Sequence, residues 1–313
     1  MKAILLEKTG GTENLLLGEI DQPEPKSKEV LIQVKAIGIN PVDYKVRAIE
    51  PALDMIYGTQ RPAILGWDIS GVVVSVGEEV SQFEVGDKVF GMVNFPGNGN
   101  AYAEFVAAPQ DHLTKIPADL SFEDAAATTL AALTALQVLV PNVKKGDRVL
   151  IHAGSGGVGH FAIQIAKALG AYVITTSSAR NRDFVLSLGA DEHIDYRAQA
   201  FEEVVSDIDF VFDMFNGEIL LNSVKAIKEG GTIISIPSAD FSEEILTLAK
   251  QKGVSVSQIL VQSSGEDMRT LKSMIEKGTL KPYVSQSFKF TDMAKAHEQL
   301  ESGRTVGKVV VSL

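Results

Sequence analysis

The chain has no cysteine among its 313 residues. That excludes disulfides, a cysteine nucleophile and thiolate metal sites. It also suits a reducing compartment, so a cytoplasmic location is expected. Cations are scarce: 29 Lys and Arg against 40 Asp and Glu give a net charge of −11. This balance argues against nucleic acid or an anionic membrane as a general partner. No long uninterrupted apolar run occurs. Residues 125–140 come nearest, but Thr128, Thr129, Thr134 and Gln137 interrupt them, and the segment reads as too short and too polar to span a bilayer. At the N-terminus Glu7 and Lys8 interrupt the apolar stretch too early for a signal peptide. Histidine is sparse as well. His112, His152, His160, His193 and His297 fall in unrelated segments, without the H-x-x-H or H-x-x-x-H spacing of a zinc site. Each reads as a surface or packed histidine. His152 alone adjoins a Gly-rich segment where it could touch a ligand.

The remaining composition is that of a soluble globular protein with room for two domains. Residues 1–120 are β-rich, with strands expected at 3–6, 30–37, 68–76, 88–91 and 103–106. Gly and Pro punctuate them, which suggests a partly closed barrel. Ser121 followed by Asp124 reads as the start of a long Ala/Leu/Thr helix. Strand and helix then alternate, as expected for a parallel α/β sheet covered on both faces. After Lys281 the chain turns to β again, at 283–290 and 308–312. The simplest architecture inserts an α/β domain, residues 123–279, into a β domain made of residues 1–122 and 280–313.

Residues 148–179 are the most informative stretch. Val149–Ile151 form a short apolar strand. Gly154-Ser155-Gly156-Gly157-Val158-Gly159 follows in the pattern G-x-G-x-x-G, and a helix with Phe161, Ile165 and Leu169 on one face comes next. With a strand before it and a helix after it, the pattern points to a dinucleotide site. Gly permits the tight turn, no side chain blocks a pyrophosphate, and the helix N-terminus offers N–H groups and a positive dipole end. A Gly-rich turn that binds nothing is the competing reading. The next strand ends in Thr175-Thr176-Ser177-Ser178, with Arg180 and Arg182 beyond it and no carboxylate before Asp183. A carboxylate there would bind the 2′-hydroxyl of NAD and repel a 2′-phosphate. Hydroxyls and a guanidinium favour NADPH, through Ser177 and Arg180. Two solvated arginines at a helix start are the bland alternative.

The order of motifs resembles the medium-chain dehydrogenase/reductase superfamily over essentially the whole chain. It is most similar to the zinc-free quinone oxidoreductase and enone reductase branch. The resemblance is carried by GINPVDYK at 38–45, LGWDISGVV at 65–73, FEVGDKV at 83–89, AALTAL at 131–136 and the tail from Ala296 to Lys308. It implies an α/β fold in which a GroES-like partly closed β-barrel domain carries an inserted Rossmann domain, a doubly wound parallel sheet. It also implies a homodimer. The zinc enzymes of the superfamily carry Cys where Asn40 stands and His where Trp67 stands, so no metal is expected here. Without a Lewis acid, alcohol oxidation becomes less favourable. A quinone or an α,β-unsaturated carbonyl instead takes hydride directly from NADPH, and its charge spreads onto oxygen. The protein then has to position the acceptor and stabilise that oxygen. An NADPH-binding sensor or structural protein with little turnover is the alternative from another class, and a zinc-free alcohol dehydrogenase the enzymatic one.

Candidate residues follow. Asn40 would orient the nicotinamide ribose or the substrate oxygen, or merely cap the turn before Pro41. Tyr44 and Lys45 would donate a hydrogen bond or a proton; Lys45 reads equally as a solvated charge. Trp67 would line the substrate site or fill the vacated metal pocket. Asn94–Asn100 would form a mobile rim, with Phe95 and Tyr102 as apolar walls. The resemblance further implies cofactor contacts at Thr134, at Phe215 and Asn216, and at Ile236, Pro237 and Ser238. It also implies that Lys308 reaches the pyrophosphate, against the alternative of a lysine guarding an edge strand.

Overall fold

A computed structural model of the protein describes residues 1–237 and 240–313. Ser238, expected at the cofactor, lies outside the described residues. The chain divides into two compact units, residues 1–133 with 261–313 and residues 134–260.

The first unit contains β1 (Lys2–Leu6), β2 (Leu15–Glu19), β3 (Glu29–Ile39), β4 (Asp68–Val76), β5 (Lys88–Met92), β6 (Phe105–Pro109) and β7 (Leu113–Lys115). The chain returns to it for β14 (Val284–Lys289) and β15 (Lys308–Ser312). Its main sheet runs β14-β15-β3-β4-β5-β7, with β6 also paired to β3. Register shifts between β3 and β4 bend this long strand pair, which is how an antiparallel sheet curls towards a barrel. Inside it Ile32, Ile37, Ile39, Ile69, Val73, Phe90 and Val309–Val311 are buried. Each such side chain stabilises by roughly 1.5–3 kcal/mol relative to exposure. Two short helices, α1 (Pro41–Ala48) and α2 (Glu50–Tyr57), follow β3 directly.

The second unit holds β8 (Arg148–Ile151), β9 (Tyr172–Ser177), β10 (Glu192–Asp195), β11 (Ile208–Asp213), β12 (Ile227–Ser235) and β13 (Ser255–Gln258). They form one parallel sheet, ordered β10-β9-β8-β11-β12-β13. The order reverses between β8 and β11. Beyond the carboxyl ends of those two strands lies the crevice in which doubly wound sheets bind ligands. Helices α4 (Gly159–Ala168), α5 (Arg182–Ser187), α6 (Phe201–Val204), α7 (Gly217–Ala226) and α8 (Glu243–Lys252) connect the strands. Leu150, Ile174, Val211 and Ile233 share one core with Leu220, Val224 and Ile245.

Helix α3 (Phe122–Asn142) starts as the sequence suggests, with the Asp124 N–H donating to Ser121 Oγ at 3.0 Å. It has 21 residues and is, by length and composition, apolar enough to cross a membrane, contrary to the shorter segment expected. Of its most apolar window 78 % is buried inside the protein, so packing accounts for that apolarity. The division of the chain also differs from expectation. Helix α9 (Gly265–Glu276) was assigned to the α/β domain on sequence, yet it belongs to the first unit with α10 (Met293–Glu301). A Cβ at Gly265 would lie 2.6 Å from the Asp111 carbonyl, so a glycine lets α9 close onto the turn before β7.

Candidate active site

In the second unit the chain leaves β8 at Ile151 and makes the Gly-rich turn before α4. Gly154 donates to the Thr176 carbonyl at 2.9 Å and Gly156 to Ala153 at 2.8 Å. A Cβ at Gly154 would sit 1.9 Å from Thr175 Oγ1, and one at Gly159 would sit 2.2 Å from the Ala153 carbonyl. These two glycines are therefore demanded by the closeness of β9 and of the turn itself. The N–H groups of Ser155, Gly157 and Val158 have no partner among the described residues. With the N-terminus of α4 they form a backbone cradle suited to a pyrophosphate. Asn181 braces it from the end of β9, its Nδ2 donating to Ser155 Oγ at 2.9 Å. His152 does not face outward. Its ring nitrogens bond Thr176 Oγ1 at 3.2 Å and Ser223 Oγ at 2.9 Å, and burial pushes its pKa down to about 3.

The expected reader of the 2′-phosphate changes. Ser177 is buried, and its hydroxyl lies 3.3 Å from the Ser178 carbonyl and 2.8 Å from His193 Nε2. It ends β9 beside β10, where Asp195 is its register partner, and its hydroxyl is already engaged within the protein. Arg180 is exposed in the turn after β9 and has no partner among the described residues. The guanidinium alone remains available there.

Across the switch point, β11 ends at Asp213. This buried carboxylate accepts from the Phe215 and Asn216 N–H groups at 3.2 and 2.9 Å and from Ser235 Oγ at 2.7 Å. It thereby holds the turn that presents Phe215, half exposed, and Asn216, whose φ of 64° places it in the left-handed region. Ile236 and Pro237 follow β12 on the same side of the sheet and are partly exposed. Thr134 is buried on α3.

In the first unit the sequence-predicted residues meet others that sequence reasoning missed. Asn40 follows β3, Asp68 opens β4 and Lys308 opens β15. Register explains their convergence, because Gly38 pairs with Asp68 and Ile39 with Val309. Lys308 Nζ donates to the Ile39 carbonyl at 3.0 Å and to Asn40 Oδ1, and lies 3.9 Å from Asp68 Oδ2. Asn40 Nδ2 donates to Asp68 Oδ2 at 2.7 Å. Both roles expected for Lys308 are thus corrected. It is 3 % exposed with three partners, so it is not free to reach a pyrophosphate, and β15 lies between β14 and β3 rather than at an edge. Asn40 is engaged at both ends of its amide, Oδ1 by Lys308 and Nδ2 by Asp68.

Beside this group Asp43 accepts from the Asn40 N–H at 2.6 Å through Oδ2. Its Oδ1 is buried without a hydrogen-bond partner among the described residues, as is the Tyr57 hydroxyl. Burial pushes the Asp43 carboxyl up to about 8, with Asp68 acting in the same direction and Lys308 against it. Tyr102 was expected as a substrate wall. It is fully buried instead, its hydroxyl 2.9 Å from His297 Nε2. The Arg47 guanidinium faces His297 Nδ1 at 3.4 Å and pairs with Glu301 at 2.5 Å. Arginine only donates, so His297 carries its proton on Nε2 and donates to Tyr102. Burial pushes the His297 pKa down to about 3, and Arg47 adds to the effect.

Trp67 fills space. It is fully buried, stacks edge-on against Phe95 at 5.2 Å and donates from Nε1 to the Gly97 carbonyl at 2.6 Å. The stretch 94–100 is accordingly a tethered loop and not a loose rim. His112 Nδ1 accepts from the Asn94 N–H at 3.1 Å, and Phe95 exchanges two hydrogen bonds with Ser263. Phe95 is itself buried. On α1, Tyr44 is half-buried and Lys45 exposed. Burial and the Glu301 carboxylate raise the Tyr44 pKa.

These donors do not fit zinc. An ion at Asn40 would meet an ammonium already bound to the amide oxygen, and Trp67 offers an indole where a ligand would be needed. Among the described residues no group of three or more His, Asp or Glu is placed to hold a metal. The backbone cradle, by contrast, fits a dinucleotide.

A barrel unit and a doubly wound sheet with this cradle define the medium-chain dehydrogenase/reductase class. Two family models match: "Alcohol dehydrogenase GroES-like domain" over residues 26–118 and "Zinc-binding dehydrogenase" over residues 188–311. The structure of the quinone oxidoreductase from Coxiella burnetii is 38 % identical, with a TM-score of 0.93, covering 100 % of this chain and 99 % of that one. Escherichia coli quinone oxidoreductase complexed with NADPH is 29 % identical, with a TM-score of 0.89 and full coverage of both chains. The chloroplastic NADPH-dependent alkenal/one oxidoreductase of Arabidopsis thaliana is 34 % identical over 99 % of this chain and 79 % of the relative. The chain belongs to the zinc-free quinone oxidoreductase and enone reductase branch of the medium-chain dehydrogenase/reductase superfamily.

Proposed function

We propose that the protein is an NADPH-dependent, zinc-independent oxidoreductase acting on quinones or α,β-unsaturated carbonyl compounds. The observation that carries the reading is the unpartnered backbone cradle at the switch point of the parallel sheet. The relatives named for quinone and for alkenal/one reduction, and the neighbour holding NADPH, support the cofactor and the acceptor class.

The N–H groups of Ser155, Gly157 and Val158 hold the pyrophosphate, and Arg180 binds the 2′-phosphate. Phe215 and Asn216, with Ile236 and Pro237, flank the dinucleotide; Thr134 serves as a further contact from α3. Bound NADPH supplies a hydride for the β-carbon of an enone or a ring carbon of a quinone. Negative charge then gathers on the acceptor's oxygen, and Asn40 Nδ2–H is the donor that stabilises it. Tyr44, held above the usual tyrosine range, is a poor acid. Lys45, exposed on α1, does not share the face of its neighbour Tyr44. The α-carbon is therefore protonated from solvent. The enzyme is read as a cytoplasmic homodimer, a state that sedimentation of the purified protein checks.

The test uses NADPH carrying deuterium at C4 and a simple enone. Deuterium is expected at the β-carbon of a saturated ketone. Deuterium on the carbonyl carbon of an allylic alcohol would return the chain to alcohol dehydrogenase chemistry, and binding without turnover on any acceptor would make it a sensor.

A further inference from the structure

We propose that Lys308 and Asp68 are positioning residues: they hold the Asn40 amide in one orientation and leave a single Nδ2–H to donate to the substrate oxygen. The donation to substrate rests on the function proposed above. The clamp itself stands on geometry.

An asparagine amide has an oxygen end and a nitrogen end of nearly equal shape, so its orientation follows from its neighbours. Here both neighbours decide the same way. Lysine has donors only, so the atom against Lys308 must be Oδ1. The Asp68 carboxylate accepts, so the atom against Oδ2 at 2.7 Å must be Nδ2. Flipping the amide would set NH₂ against an ammonium and an oxygen against a carboxylate.

The clamping groups are themselves fixed. Asp68 Oδ1 accepts from the Leu130 N–H at 3.0 Å, and Lys308 Nζ is held by the Ile39 carbonyl at 3.0 Å. Leu130 reaches Asp68 because Gly38 leaves room for α3. A Cβ there would lie 2.5 Å from the Ala126 carbonyl. Asp43, held neutral near pH 7 by burial, adds no second anion, so the group balances as one cation and one anion.

Counting hydrogen bonds gives the functional step. The Asn40 amide has two protons. One goes to Asp68, and the other has no partner among the described residues. A cation on Oδ1 draws electron density through the amide and strengthens the remaining N–H as a donor. Lys308 thus acts on the acceptor's oxygen through Asn40, without touching it.

Lys308→Met keeps the stem and removes the charge. Protein labelled with ¹⁵N at asparagine, with the Asn40 side-chain signal assigned by its loss in Asn40→Ser, reports the clamp directly. In the wild type the two amide protons should be widely separated in shift and slow to exchange. In Lys308→Met they should collapse towards free-amide values. Turnover is then compared over enones of graded electron affinity. The variant should lose about tenfold or more in kcat/KM, approaching the ~10²-fold effect of a deleted oxyanion donor, and lose most on the weakest acceptors. NADPH affinity should stay within about twofold, because the clamp belongs to the barrel unit and the cradle to the α/β unit. The paired variant Lys308→Met/Asp68→Asn removes both charges and serves if the single variant does not fold. An unchanged Asn40 signal, or an equal loss across the whole acceptor series, would overturn the proposal. A wild type with the clamped signal but no turnover of any enone or quinone would sink the reaction reading and leave the clamp standing.

Discussion

The cradle after β8 is backbone from one stretch of six residues, whereas the polar group in the barrel is side chains from β4, β15 and the turn into α1. Its two closest members, Asn40 and Lys308, are 268 positions apart. The cradle tolerates almost any side chain that does not intrude, and it fails through added bulk. The polar group tolerates bulk poorly too, but fails mainly through unbalanced charge. A backbone site is therefore probed by adding atoms, and a side-chain site by removing charge.

The largest expected effect comes from adding a methyl to the cradle. In Gly159→Ala the new Cβ would overlap the Ala153 carbonyl, with only 2.2 Å between them, and nearby backbone at 2.8 Å. The turn must open, and NADPH binding measured by fluorescence should vanish. Asn40→Ala should leave NADPH affinity nearly unchanged while lowering turnover of enones. If Gly159→Ala still binds NADPH normally, the cradle is not the cofactor site and the contrast fails.

Next comes charge in the barrel. The folded Asp43 pKa, about 8, lies above its ordinary value of 3.8, so the folded protein holds an extra proton between those limits. Stability contributed by this group is complete below about pH 4 and is lost as pH rises through 8. The full shift corresponds to at most about 6 kcal/mol. His152 and His297 act with the opposite sign. Their folded values of about 3 lie below the ordinary 6.5, so stability is present above pH 6.5 and is lost as pH falls towards 3. The barrel unit holds both Asp43 and His297 and is weakened on both limbs; the α/β unit, with His152, is weakened on the acid limb. Asp43→Asn should flatten the fall between pH 4 and pH 8 in denaturant unfolding. Equal slopes for variant and wild type would show that Asp43 is ionised in the fold.

The same contrast explains what could be read in the sequence. Strands such as Asp68–Val76 and Lys308–Ser312 match their expected limits, because alternation and apolar runs are local signals. The Gly-rich turn was legible for the same reason: strand, turn and helix are contiguous. Short elements were missed. Residues 49–57 drew no assignment from the sequence; Pro51 sits in the first turn of α2, where it is tolerated. Ser177 was misjudged because sequence shows that a hydroxyl ends β9 but not which way it faces. The association of Tyr102, Arg47 and His297 gave no signal, since only the fold brings Arg47 within 3.4 Å of His297. Lys308 misled because its supposed role came from the resemblance, while its partners come from strand register.

A smaller effect sharpens the cofactor reading. Arg180 has the one free guanidinium at the end of β9 among the described residues, so Arg180→Ala should weaken NADPH by a factor of about 10–150, the value of one charge-assisted hydrogen bond. NADH should be nearly unaffected. Ser177→Ala should do much less to either, because its hydroxyl bonds His193 and the Ser178 carbonyl. Equal losses for NADPH and NADH in Arg180→Ala would show that it does not read the 2′-phosphate.

The smallest effects are expected on α1, where side chains stand near the polar group without joining it. Tyr44 is half-buried and kept protonated by burial and Glu301, and Lys45 faces solvent. An essential general acid contributes roughly 10²–10⁴-fold. If water protonates the enolate, neither residue carries that burden, and Tyr44→Phe and Lys45→Met should each lower kcat by less than about tenfold. Measuring kcat in H₂O and D₂O sharpens the result, since a solvent-derived proton gives the same isotope effect in both variants as in the wild type. A loss beyond about 10²-fold in either variant, with NADPH binding intact, would identify an essential side-chain acid and move part of the chemistry from the amide clamp to the helix.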